Sequence, residues 1–220
     1  MKKIFKRIMI VFILLVIAGG LLFFLTGYKY YKTVTNAMPI EEKVANIQQQ
    51  SQYAAYEQID VDFLNAIVAV EDRRFYEHNG IEYRSMIRAA ISNFLAKDIR
   101  SGGSTITQQL AKNMYFDYHP SYVRKLSEIF VAKDLEKRYS KEEILELYVN
   151  IINYGDNHIG ITNATLGYFG KYPSDLSFDE ATLLAGLPQS PGNYQLSNHY
   201  DSALVRQRQV IKAMEAAGYL

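Results

Sequence analysis

No cysteine occurs among the 220 residues. That excludes a disulfide frame, a thiolate metal site and a thiol nucleophile. An excess of either charge is also missing: 24 Lys and Arg stand against 23 Asp and Glu, a formal net charge of +1. Lys2, Lys3, Lys6 and Arg7 supply four of the positive charges, which leaves 20 basic against 23 acidic residues, a net of −3, for the rest. That is no nucleic-acid footprint, so nucleic acid is excluded as a partner. No stretch of any length alternates apolar and polar residues as a half-buried strand would, and no internal repeat occurs. The class is therefore mainly α. At 49% the apolar fraction is ordinary for a globular protein, and the length allows one domain of fair size plus an extension.

One long apolar run is present. Ile8 to Gly27 is free of charge; as a helix its 20 residues reach about 30 Å, a bilayer's hydrocarbon thickness. The four basic residues before it favour a cytoplasmic N-terminus, and Lys29 and Lys32 beyond it blunt that bias. Ala18-Gly19-Gly20 is followed by five more apolar residues rather than a cleavage site, which favours an anchor over a signal peptide. Tyr28, Tyr30 and Tyr31 suit the outer interface. The expected organisation is a cytoplasmic tail (1–7), a transmembrane anchor (8–27), a juxtamembrane connection with a first helix (28–58) and a catalytic domain (59–220) outside the cytoplasm.

Glu71 follows an apolar run in which Phe63, Ile67 and Val70 share a helical face. A carboxylate at such an end is desolvated and suited to proton transfer; the alternative is a helix end with its charges solvated or paired. Residues 83–97 carry apolar residues at helical spacing. Ser101 to Thr105 is a Gly-rich turn, and Thr105 with Gln108 reads as a capping box. The helix after it offers its free N–H groups to a phosphate, although a plain loop and cap explains the turn equally well. Gln109, Lys112 and Asn113 then fall on one side of that helix. Residues 116–123 break the helices at Pro120 and are rich in aromatics. Arg124 and Glu128 lie four apart on the next helix, where a surface ion pair is the bland alternative; Glu136, Lys137 and Arg138 read as solvated. Ser140 with Glu143 and Ser177 with Glu180 open two more helices. Residues 202–217 close the chain as a helix with Leu204, Val210, Ile211 and Met214 inward.

Five blocks, EDRRFYEHNGIEYRSMIRA (71–89), GGSTITQQLAKN (102–113), RKLSEIFVAKDLEKRYSKEEILELYVN (124–150), GITNATLGYFGK (160–171) and LSFDEATLLAGLPQSPGNYQL (176–196), occur in an order that resembles the peptidoglycan glycosyltransferases of glycosyltransferase family 51. No transpeptidase domain follows, so the chain resembles the monofunctional form. The resemblance implies a mainly α, lysozyme-like globular domain with one N-terminal transmembrane helix, at the cell membrane. It also implies polymerisation of lipid II onto the growing glycan on undecaprenyl diphosphate, sensitivity to moenomycin, and other cell-wall synthesis proteins as partners. By the family pattern Glu71 is the general base. Ser104, Thr105, Gln109, Lys112, Asn113 and Arg124 match donor-site positions, and Lys171 lines the same site. Glu128 matches the second essential glutamate, either orienting Arg124 or holding a divalent cation (Mg or Mn), with no obligatory cofactor. Arg73 and His78 are architectural or substrate-orienting, and residues 116–123 correspond to a mobile, membrane-dipping segment. Gln189 stands where the family often has Lys, and Glu82 where Asp is usual. A glycan-cleaving enzyme and a non-catalytic wall-assembly partner are the rival readings; Lys112 and Arg124 argue against the first, the intact glutamates against the second.

Overall fold

The computed structural model describes residues 2–84, 86–88, 92, 103–116 and 121–220, with side chains from residue 4 onward. Most of the helix expected over 83–97 lies outside the described residues, as do Ser101, Gly102 and residues 117–120. The described residues are mainly helical, with no strand and one isolated bridge between Asn153 and Ile159.

The first helix, α1 (Lys2–Ala37), is continuous through and beyond the apolar run. Its residues 4–26 are exposed on every face, the pattern of a helix solvated by lipid. It is the one described helix long and apolar enough to cross a membrane. No proline interrupts it before Pro39, so the polar residues after Gly27 extend the same helix rather than starting a flexible connection. Helix α2 (Ile40–Gln48) buries Ile40, Val44 and Ile47 in the core.

Helix α3 (Val61–Glu71) begins where the Asp60 side chain accepts the Phe63 N–H at 3.0 Å. It buries Phe63, Leu64, Ala66, Ile67, Val68 and Ala69, each large side chain contributing about 1.5–3 kcal/mol of apolar burial. Its partners are α8 (Phe178–Gly186) and α10 (Tyr200–Ala217). Helices α4 (Ile106–Tyr115), α5 (Tyr122–Arg138) and α6 (Lys141–Ile151) pack as a second group. Helix α7 (Ile161–Phe169) covers α6, and the short α9 (Pro191–Tyr194) leads into α10. All three capping boxes form: Thr105–Gln108, Ser140–Glu143 and Ser177–Glu180.

One surface reading changes. Glu136 is not solvated: it accepts from Thr107 Oγ1 at 2.5 Å and Lys141 Nζ at 2.8 Å, tying α4 to the start of α6. Arg138 pairs with Glu41 of α2.

Candidate active site

The end of α3 meets α10 and α4 at Glu71, and α5 packs beside α4. The apolar helix delivers Glu71 with only 9% of its side chain exposed. Oε2 accepts a hydrogen bond from Gln109 Nε2 at 2.7 Å. Oε1 is buried, accepts no hydrogen bond among the described residues, and lies 3.8 Å from Arg206 Nη2. Burial pushes the carboxyl pKa up; the Gln109 hydrogen bond and the Arg206 charge oppose the shift without cancelling it. The group is thus a carboxylate that holds a proton more readily than usual, which is what a general base requires.

Its neighbours set its geometry. Tyr148, fully buried on α6, donates its hydroxyl to Gln109 Oε1 at 3.2 Å. That bond fixes the amide so that its NH2 faces Glu71. Burial pushes the Tyr148 pKa well above that of an ordinary phenol, so the hydroxyl stays a donor. Asp72, beside the base, is committed elsewhere: it accepts the Ile106 N–H at 3.1 Å and faces His78 Nε2 at 2.9 and 3.0 Å. His78 thus holds the turn against the start of α4, the architectural option of the sequence reading.

Cations gather on α4 and α5. Arg124 Nε lies 3.3 Å from Glu128 Oε1, and Lys125 Nζ lies 3.0 Å from Glu128 Oε2. Glu128 is 1% exposed, so this is no surface pair. Lys125 also donates to Ser104 Oγ at 2.7 Å, which fastens the Gly-rich turn to α5. Half-buried Lys112 feels both glutamates: desolvation lowers its pKa, Glu128 and Glu71 raise it, and Arg124 and Lys125 lower it further. Lys112 therefore bridges the base and the cation cluster electrostatically. Both Glu128 oxygens face cations, and among the described residues no group of three or more His, Asp or Glu is placed to hold a metal ion. These residues do not form a metal-binding set.

Two cavities flank the base. One, of about 310 Å³, is lined by Glu71, Arg73, Arg74, Glu82, Arg88 and Ser104 among others. The other, of about 280 Å³, is lined by Gln109, Lys112, Asn113, Tyr148, Asn153 and Gln189 among others. The Glu71–Gln109 hydrogen bond stands at the boundary between them.

Glu71, Ser104, Gln109, Lys112, Asn113, Arg124 and Glu128 are thus assembled in one region. Thr105 is 2% exposed, and its hydroxyl is used in capping α4 and in donating to Gly80 O at 2.8 Å. Lys171 is held by Glu180 at 2.8 Å and lines neither cavity. Sequence reasoning missed Arg206, Tyr148 as a hydroxyl donor, and Lys125. Arg206 is 9% exposed on the inward face of α10, with Ala203, Val210 and Met214. Its chain crosses α8 at Gly186, where a Cβ would lie 2.9 Å from Arg206 Cγ. The one signal for it was its register: position 206 falls four before Val210 on the apolar stripe.

A sequence model of the family described as Transglycosylase matches residues 39–215. The chain is 43% identical over 168 residues to penicillin-binding protein 1A of Aquifex aeolicus, covering 76% of this chain and 23% of that protein. It is 41% identical over 155 residues to penicillin-binding protein 1F of Bacillus subtilis, covering 70% and 22%. With penicillin-binding protein 1A of Neisseria gonorrhoeae it shares 41% over 150 residues, covering 68% and 19%. The match thus spans about a fifth of the length of these curated relatives.

Proposed function

The chain belongs to the transglycosylase family, and from that premise we propose that it polymerises lipid II into β-1,4 glycan strands for the cell wall and releases undecaprenyl diphosphate. The observation that carries the reading is a buried, proton-holding carboxylate and a cation cluster that both act on one half-buried lysine, Lys112.

Glu71 removes the proton from the acceptor's GlcNAc 4-hydroxyl, and that oxygen attacks the sugar carbon of the donor strand. The bond from this carbon to the pyrophosphate oxygen breaks, with inversion, and its electron pair leaves on the diphosphate. Lys112 and Arg124 meet the charge developing there. Ser104, Gln109 and Asn113 supply donors around the same groups, and Lys125 holds the turn bearing Ser104 against α5. Glu128, held between Arg124 and Lys125, fixes where their charges sit. A hydrolase of glycan releases no pyrophosphate, so the charges of Lys112 and Arg124 would have no leaving group to meet. The four basic residues before the apolar run support a domain outside the cytoplasm, with the N-terminus inside.

The test is incubation of the detergent-solubilised chain with labelled lipid II, wild type beside Glu71→Gln. Long glycan made by wild type, blocked by moenomycin and absent from a folded Glu71→Gln, is the expected result. Polymer made by the variant at the wild-type rate removes Glu71 as base. Soluble muropeptides released from purified wall would point to the lytic reading instead.

A further inference from the structure

The anchor helix is built into the catalytic domain. Beyond the apolar run, α1 lies along α5, and their contacts are specific. Gly27 is buried against Leu126. Ser127 Oγ lies 2.8 Å from Gly27 O and 2.9 Å from Val123 O, its two acceptors. The Phe130 ring is boxed by Phe24, Tyr28 and Tyr31 at centroid distances of 5.4, 5.5 and 5.6 Å. The Tyr31 hydroxyl donates to Asp134.

At 3.6 residues per turn, Leu126, Ser127, Phe130 and Asp134 share one face of α5, while Arg124 and Glu128 lie round the other side. The helix is therefore clamped between the anchor and the cleft. A displacement forced at Leu126 moves Arg124 and Glu128, two residues away on the same rigid element.

We propose that Gly27 is a positioning residue: the lack of a side chain there sets how closely the anchor seats on α5, and so where the cations of the pyrophosphate site stand. This rests on the function proposed above. A Cβ at Gly27 would lie 2.6, 2.8 and 3.1 Å from Leu126 Cδ2, Cγ and Cβ. Relieving three such overlaps to ordinary contact at 3.5–4.0 Å moves the helices apart by about 1 Å. A misplacement of that size costs on the order of 100-fold when it reaches reacting groups. Gly19 and Gly20, on the same helix, have nothing within 4 Å of a built Cβ, so they test the substitution without the seat.

The experiment measures kcat/KM on lipid II for the full chain in detergent, with wild type, Gly27→Ala, Gly20→Ala, Leu126→Ala and the Gly27→Ala/Leu126→Ala pair. We expect Gly27→Ala to lose tenfold or more, Gly20→Ala to match wild type, and the pair to return to within about threefold of Leu126→Ala. The acid limb of the pH profile, set by Glu71, stays in place in Gly27→Ala, because the base sits on another helix. Gly27→Ala within twofold of wild type overturns the proposal, as does a loss that Leu126→Ala does not restore. Should Gly27→Ala fail to melt cooperatively, Ser127→Ala decides: it deletes the hydroxyl bonded to Gly27 O and adds no atoms. A severalfold loss supports the proposal, and unchanged turnover overturns it. An inactive wild type would sink the polymerase reading itself, which separates the two failures.

Discussion

Arg206→Met is the most informative single change in the cleft. Methionine keeps the aliphatic length that crosses α8 at Gly186 and removes the guanidinium 3.8 Å from Glu71 Oε1. At that separation the pair attracts by about 4 kcal/mol if the effective dielectric constant is 20. Both side chains are about nine-tenths buried, so screening removes part of this, and about half, or 2 kcal/mol, is a conservative remainder. Since 1.4 kcal/mol is a factor of ten, ionising Glu71 becomes more than tenfold harder. Arg206 opposes the rise in the Glu71 pKa, so its loss lets that pKa climb further. The assay is the pH dependence of kcat/KM on lipid II. The acid limb should move to higher pH, and on its acid side kcat/KM should fall by about tenfold or more, with recovery toward alkaline pH. An acid limb that stays in place in a cooperatively melting variant refutes the reasoning.

Three other outcomes are expected. Burial raises the Glu71 pKa in the folded state, so the stability linked to its proton is fully present below the ordinary glutamate value and is lost as pH rises through the folded one. Glu71→Gln should therefore melt near wild type in acid and above it at pH 8; a lower Tm at pH 8 contradicts the assigned burial. Arg124→Ala should reduce donor-strand binding by about tenfold or more, since charge-assisted bonds to phosphate contribute about 1.5–3 kcal/mol; unchanged donor binding and turnover would remove Arg124 from the site. Thr105→Val removes the α4 cap and the bond to Gly80 O, and should lower stability by about 1–2 kcal/mol in thermal melts.

What could be read in the sequence was local. The capping boxes at Thr105, Ser140 and Ser177 use residues three apart, so spacing alone reveals them. Glu71 was legible because the apolar stripe of α3 that buries Phe63 and Ile67 ends beside it. Arg206 was not, because an arginine in a terminal helix looks solvated until α3 and α8 are packed beside it. Tyr148 is buried in α6, but the use of its hydroxyl depends on Gln109 of another helix. Glu136 looked solvated for the same reason: Thr107 and Lys141 reach it only in the fold. Lys171 shows the converse, a residue in a matching block whose ammonium is held by Glu180.

The continuity of α1 has a mechanical meaning for an enzyme anchored in a membrane. Residues 28–37 add ten helical residues beyond the apolar run, about 15 Å of rise, and this stretch is bonded to α5 rather than hanging as a tether. The domain thus stands on a rigid post. With α1 spanning a bilayer, the domain's height and heading above it would be set together. For the lipid-linked substrate proposed above, the opening would then stand at a fixed level and bearing, and the search for the site would be one in two dimensions.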